Sequence, residues 1–388
     1  MFDGMASSLQ TPKARDIVGL MERWAPSWTA EDWDNVGLLL GDPNAAVRRA
    51  WVALELSPEL LERAIAARVD MILTHHPPLF RPLKNLRQDN PATARLLRAA
   101  NAGVALFAAH TNLDAAPGGV NDALAARLDL VEAKPLAPAG MGGLQKLVCF
   151  APQSHAEQIA QALFAAGAGV IGDYAQCSFS APGRGHFLAP DQGRPLVGQA
   201  GQAVTVEEIR LEVVVPAREA GAAVRAMLRA HPYEEPAFDI YPLRQGPSGF
   251  GLGRVGQLAE PMAGERFAAW AARRLGASTA MIAGPAPDIV HRVAVLGGSG
   301  AEYLAQAAAM GAQAFVTGEA GHHSAEQAQD LGLLLCCLGH YQTEVVIVEP
   351  WAKRLAAMLA EAGFDCEITA SAQGQGPWRP ADGPGARP

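Results

Sequence analysis

Short apolar runs alternate with segments of helical period at both ends of the chain. Ala14–Trp24 follows Thr11-Pro12, a cap and a first-turn proline, and its spacing predicts an amphipathic helix. A polar stretch from Glu31 to Asn35 runs into the apolar Val36-Gly37-Leu38. Ala50–Leu56 predicts a strand, and Ser57-Pro58-Glu59 caps a helix reaching about Arg68. Val69–Thr74 predicts a buried strand that ends at His75-His76-Pro77-Pro78. A helix over Pro91–Ala100, a strand over Gly103–Ala109 and a helix from about Gly119 to Arg127 complete the first third. Strands alternating with helices in this way imply βαβ units and a mostly parallel sheet.

The last third repeats the theme. Val290–Leu296 predicts a strand, Gly297-Gly298-Ser299-Gly300 a turn and Ala301–Met310 a helix. Ala314–Thr317 predicts a strand ending at Gly318-Glu319, with a helix after His322-His323. Leu333–Leu338 is a strand ending at Gly339-His340, and Thr343–Ala362 predicts one long helix. Side by side, the two thirds show an internal pseudo-repeat, since Leu106–Asp114 and Leu335–Glu344 both run from an apolar strand into His-x-x-x-carboxylate. The fold class expected is α/β, with two pseudo-symmetric halves forming one core domain. Their strand C-termini face one cleft, where open α/β sheets place ligands.

The middle has a different texture. Strands at Lys146–Phe150 and Arg210–Val215, with helices near His155–Ala166 and Arg218–His231, fit a ferredoxin-like α+β insert. The stretch Gly183–Gly201 reads as an exposed Gly/Pro-rich loop. The expected organisation is therefore 1–143 as the first half of the core, 144–246 as the insert and 247–372 as the second half. Glycines at 140–143 and 246–256 act as hinges, and 373–388 forms a disordered tail.

Composition narrows the class. The 388 residues carry 31 basic against 39 acidic groups, a net charge of −8, and no Lys/Arg stripe. Counterion release needs such a stripe, so direct nucleic-acid binding is disfavoured. The five cysteines are odd in number and contain no C-x-x-C, which excludes a disulfide framework and a zinc ribbon. No run approaches a membrane span and no signal pattern opens the chain, so a cytoplasmic protein is expected.

The chemistry concentrates in a few of the ten histidines. His75-His76, stiffened by two prolines, can aim adjacent imidazoles at neighbouring ions. Taken singly, Asp114 reads as a helix cap and His110 as a hydrogen-bonded core histidine. His340 and Glu344 have i, i+4 spacing, so an imidazole and a carboxylate leave one helical face together. Jointly, His75, His76, Asp114, His340 and Glu344 are too few for two closed structural sites. They suit two divalent ions that share a carboxylate and keep open positions. The absence of cysteine favours Zn, Fe, Mn, Co or Ni. The G-x-G-x-x-G match at Gly251–Gly256 lacks a preceding apolar strand and a following acid, and is set aside. Gly297–Gly300 could bind a phosphate or simply be a tight turn.

Trp33-Asp34-Asn35-Val36-Gly37-Leu38, Thr74-His75-His76-Pro77, His110-Thr111-Asn112-Leu113-Asp114, Thr317-Gly318-Glu319 and Gly339–Glu344 together resemble the Nif-three-like dinuclear-metal proteins, also called GTP cyclohydrolase 1 type 2 homologues. The insert, with Cys177-Ser178-Phe179 and His231-Pro232-Tyr233-Glu234-Glu235-Pro236, looks like the CutA-like middle domain of the longer bacterial members. The resemblance implies a toroidal homohexamer with two divalent transition-metal ions per subunit. Their ligands would be His75, His76, Asp114, His340 and Glu344, with His110, Glu319 and His323 flanking them or moving protons. Glu55 stands where the family carries an aspartate. The activity implied is a metal-dependent hydrolase acting on a small heterocyclic or phosphorylated molecule. The competing reading is a non-catalytic hexameric metal-binding or regulatory scaffold.

Overall fold

A computed structural model describes residues 10–138, 144–171, 174–243, 249–278, 280–372 and 376–377. The hinge glycines at 140–143, Gly246 and almost all of the tail 373–388 lie outside the described residues. The chain divides into two compact units, one from Met1–Ala139 with Gly249–Pro388, the other Gly140–Ser248.

The first unit contains two sheets with one plan. In the first, Arg49–Ala53, Met71–Thr74 and Ala105–Ala108 run parallel in that spatial order, and Gly37–Leu40 pairs antiparallel at the far edge. In the second, Val290–Leu296, Ala314–Thr317 and Leu334–Cys337 do the same, with Met281–Ala283 antiparallel at the corresponding edge. The register is equivalent as well: Ala53 pairs Thr74 and Thr74 pairs Ala108, while Leu296 pairs Thr317 and Thr317 pairs Cys337. Glu367–Ser371 extends the first sheet in parallel, and Gly251–Met262 followed by Leu130–Pro138 extends the second antiparallel. All-buried strands such as Met71–Thr74 and Ala314–Thr317 need helices on both faces, which is why they lack polar alternation.

The two halves exchange helices. Val348–Glu361, which belongs to the second half in sequence, packs Trp351 and Leu355 against Val52, Leu73 and Phe107 of the first sheet. Val120–Arg127, from the first half, packs Leu124 against Val293, Val295 and Val316 of the second.

Several expected boundaries change. The single helix expected over Thr343–Ala362 is three pieces: His340–Glu344, a 3-10 turn Val345–Ile347, and Val348–Glu361. Pro350 is the cause, because inside a continuous helix it could not donate to residue 346 and would clash with its carbonyl. In the first turn of the new helix its missing N–H costs nothing. The Gly251–Gly256 segment is the start of the strand Gly251–Met262, so its glycines lie in a sheet and not in a phosphate loop.

The second unit runs strand, helix, strand, strand, helix, strand: Leu144–Pro152, Ala156–Ala165, Ser178–Leu188, Ala203–Pro216, Ala217–Ala230 and Phe238–Pro242. Its all-antiparallel sheet has the ferredoxin-like order second, third, first, fourth. Leu147, Cys149, Leu211 and Val213 form one face and are covered by Ile159, Leu163 and Met227 of the helices. The loop expected over Gly183–Gly201 is only partly a loop, since its first six residues belong to the strand Ser178–Leu188. That strand is at the sheet edge, where proline and glycine disturb the ladder least.

Candidate metal centre

Every donor stands just beyond the C-terminal end of a parallel strand. His75 and His76 follow Met71–Thr74, and His110 follows Ala105–Ala108. Asp114 is in the short helix Thr111–Ala115, and His340 and Glu344 bound the equivalent short helix after Leu334–Cys337. The threonine that closes each central strand fixes the turn beside it. Thr74 Oγ1 donates to the His76 carbonyl at 2.9 Å, and Thr317 Oγ1 donates to the Gly298 carbonyl at 3.1 Å.

The ring nitrogens follow one rule. Nδ1 of His75 donates to the Ala109 carbonyl at 2.9 Å, and Nδ1 of His110 to Asp34 Oδ1 at 2.8 Å. Nδ1 of His340 lies 3.3 Å from Glu319, and Nδ1 of His76 lies 3.9 Å from Glu55. In His75 and His110 the hydrogen bond at Nδ1 fixes the tautomer and leaves Nε2 as the donor atom, as in metal-binding histidines, while His340 and His76 have only a carboxylate near Nδ1.

Those Nε2 atoms converge on carboxylates. His75 Nε2 is 3.7 Å from Asp114 Oδ1 and 3.8 Å from Glu344 Oε1. Glu344 Oε2 lies 2.9 Å from His76 Nε2 and 3.2 Å from His340 Nε2. One carboxylate therefore turns one oxygen toward His75 and the other toward His76 and His340. His76, His340 and Glu344 form one group able to hold an ion, and His75, His76 and His110 form a second. His76 belongs to both.

Two atoms test whether a cation fits. His75 Nε2 and Asp114 Oδ1 are buried and make no hydrogen bond, although they face each other. A buried lone pair opposite a buried carboxylate oxygen is costly unless something positive lies between them. Among the described residues, the ion pairs of Asp114 and Glu344 are all with histidines. Burial pushes the Asp114 carboxyl up, with the Glu344 charge adding to it. Burial alone would raise Glu344 too, but the imidazoles of His340, His75 and His76 hold it well below the usual range. Burial would lower His76, yet its hydrogen bond to Glu344, with Glu55 beyond, pushes it up to about 10. The donor set is N and O only and suits divalent transition metals.

The turn Gly297–Gly300 is part of this wall. Gly298 has φ +63°, and a Cβ there would lie 2.2 Å from Glu344 Oε1 and 3.2 Å from His340 Nε2.

Of the residues expected at the site, His75, His76, Asp114, His340, Glu344, His110 and Glu319 are brought together. His323 is not. It is 96% exposed and pairs with Glu326 within the helix His322–Asp330, which turns both of its leading histidines into solvent. Asp114 does not cap a following helix, since Gly119 takes that position. Sequence reasoning gave no role to Asp34, whose fully buried side chain accepts from His110 and from the Thr111 backbone at 3.0 Å. Its one signal was its place in the motif Trp33–Leu38, with its partner 76 residues away.

An α/β scaffold whose two sheets deliver histidines and carboxylates to one buried cluster defines a protein able to hold metal ions. The sequence profile of the Duf34/NIF3 (NGG1p interacting factor 3) family matches residues 12–377, and the chain belongs to that family. It is 40% identical over 357 residues to the GTP cyclohydrolase 1 type 2 homolog of Bacillus subtilis, covering 92% of this chain and 95% of the relative. The Mycobacterium tuberculosis protein of the same description is 39% identical over 348 residues, covering 89% and 90%. A crystal structure of a Bacillus cereus protein related to NIF3 aligns over 95% of this chain and 99% of its own, at 37% identity and TM-score 0.67. Staphylococcus aureus SA1388 aligns over 95% and 99%, at 29% identity and TM-score 0.71.

Proposed function

We propose that the protein is a dinuclear metal-dependent hydrolase acting on a small heterocyclic or phosphorylated molecule, a reading in line with relatives described as GTP cyclohydrolase 1 type 2 homologs. The observation that carries this reading is the pair of buried, unpartnered atoms, His75 Nε2 and Asp114 Oδ1, beside a Glu344 that faces both donor groups. His75, His76, Asp114, His340 and Glu344 would hold the ions. When bound, two divalent ions would supply Lewis acidity and acidify water at neutral pH. His110, whose Nδ1–H donates to Asp34, is assigned here to moving protons and not to holding an ion with His75 and His76. Asp34 fixes the tautomer and would stabilise the imidazolium once Nε2 takes a proton. Glu319, 3.3 Å from Nδ1 of His340, helps to orient that imidazole, and Glu55 adds negative charge near His76.

The same reading takes the protein as a cytoplasmic homohexamer. Five free cysteines support a reducing compartment, and no helix among the described residues is long and apolar enough to cross a membrane. Light scattering reports the subunit number. Release of formate from GTP, measured with metal content for the wild type and for His340→Ala, tests the chemistry. Metal-dependent release lost in the variant supports a hydrolase, while equal residual release in both sinks it for that substrate. Metal bound with no turnover of any nucleotide would favour the scaffold reading.

A further inference from the structure

Trp33 and Phe80 are 59% and 42% exposed, yet they stand at the rim of the donor cluster and are held there. Next to Trp33, Asp34 is fastened by His110 and Thr111. One residue on, the Asn35 side-chain N–H donates to the carbonyl of Leu79, which adjoins Phe80. The two loops are thus pinned to each other where their aromatic rings emerge. Scattered exposed aromatics need no explanation, but two in contact, each beside an anchored residue, are a built feature.

Their geometry is specific. Trp33 and Phe80 have ring centroids 5.8 Å apart at 70°. The His110 ring is 6.1 Å from Trp33 at 73° and 6.2 Å from Phe80 at 85°. The three rings pack edge to face, and Trp33 and Phe80 keep much of their surface open to solvent beside His110. An exposed aromatic face held in place in this way can take a flat ring stacked on it. His110 is also 5.1 Å from the His75 ring, so a ring lodged there lies beside the metal donors.

We propose that Trp33 and Phe80 form a stacking subsite for a planar heteroaromatic ring of the substrate, with His110 as its floor. The assignment rests on the hydrolase reading for the fate of that ring, though the binding can be measured without turnover. Metal-loaded full-length protein is titrated calorimetrically with GTP, ATP, UTP and ringless tripolyphosphate, using the wild type, Trp33→Ala, Phe80→Ala and Trp33→Phe. The expected result is that nucleotides bind more tightly than tripolyphosphate. Each alanine variant should weaken nucleotide binding roughly tenfold, the scale of one lost base–aromatic stack. Tripolyphosphate affinity and metal content should hold, and Trp33→Phe should keep most of the affinity. The proposal is overturned if nucleotides bind no better than tripolyphosphate, or if the alanine variants bind like the wild type. It is also overturned if those variants change the subunit number, which would make the rings a contact between copies. Ring binding that depends on Trp33, without hydrolysis, would remove the hydrolase reading and leave the subsite standing.

Discussion

Asn121 joins Asp114 to Gly297: its side-chain N–H donates to the Asp114 carbonyl at 2.9 Å, and its side-chain oxygen accepts from the Gly297 N–H at 3.0 Å. The first residue carries a donor from one half, and the second begins the turn that packs on Glu344 of the other. Asn121 is completely buried, so Asn121→Ala leaves the buried Gly297 N–H and the part-buried Asp114 carbonyl unpaired. At about 1–3 kcal/mol for a fully buried group and less for the other, the expected loss of stability is roughly 2–4 kcal/mol by denaturant unfolding. Metal affinity should fall as well, by about 10–100-fold, the scale of lost support behind a ligand. Unchanged affinity in a folded variant would show that the two turns hold their spacing without it.

Gly298 should be intolerant for a different reason. Gly298→Ala places a Cβ on Glu344 Oε1 in a backbone conformation that suits glycine. The expected result is a protein at least about 1–2 kcal/mol less stable, with reduced metal content by elemental analysis. Gly19→Ala, inside the helix Ala14–Trp24 with nothing within 4 Å of the new methyl, should instead stabilise by about 0.5–1 kcal/mol. Equal effects at the two positions would refute the packing argument.

Metal loading should release protons. In the metal-free protein His76 is raised to about 10, so at pH 7.5 it is largely protonated and an incoming ion must displace that proton. The stabilisation from the protonated His76–Glu344 pair is fully present below the ordinary histidine value near 6.5 and is lost as pH rises through about 10. Metal affinity should therefore rise with pH between about 7 and 9. Calorimetry in buffers of different ionisation enthalpy measures the release, and an affinity independent of pH would contradict it.

The insert should be removable. Gly251 pairs with Pro138 across an antiparallel ladder, so the backbone ends on either side of residues 140–248 are already a hairpin apart. Replacing 140–248 by a short Gly/Asn turn is expected to leave a folded core that still binds metal, checked by circular dichroism and metal content. A core that fails to fold would mean that the second unit supplies stability as well as length.

The sequence made the parallel strands and their terminal histidines legible because a doubly covered strand is a short apolar run and the donors sit just after it. Ala14–Trp24 is found with the bounds its periodicity predicts. The antiparallel extensions were invisible for a local reason. Gly251–Met262 begins with three glycines in six residues and contains Pro261, and its strand character comes from pairing with Val290–Leu296 on one side and the distant Leu130–Pro138 on the other. The break at Val345–Ile347 was readable in Pro350, which a helical pattern alone ignores. At the site, the spacing singled out residues that the fold brings together, but the Asp34–His110 pair needed the fold, since nothing local connects residues 34 and 110.

The exchange of helices between the halves has a historical reading. Each sheet is covered by a helix from the other half, as in a domain-swapped dimer whose two subunits have since been joined into one chain. Segments 10–138 and 249–372, produced as separate chains, should then fail to fold alone and reassemble on mixing. Both halves keep the His-x-x-x-carboxylate turn, His110 with Asp114 and His340 with Glu344, but only the first sets a histidine pair, His75-His76, directly after its central strand. The two sides of the cluster are therefore unequal although the sheets that carry them share one plan.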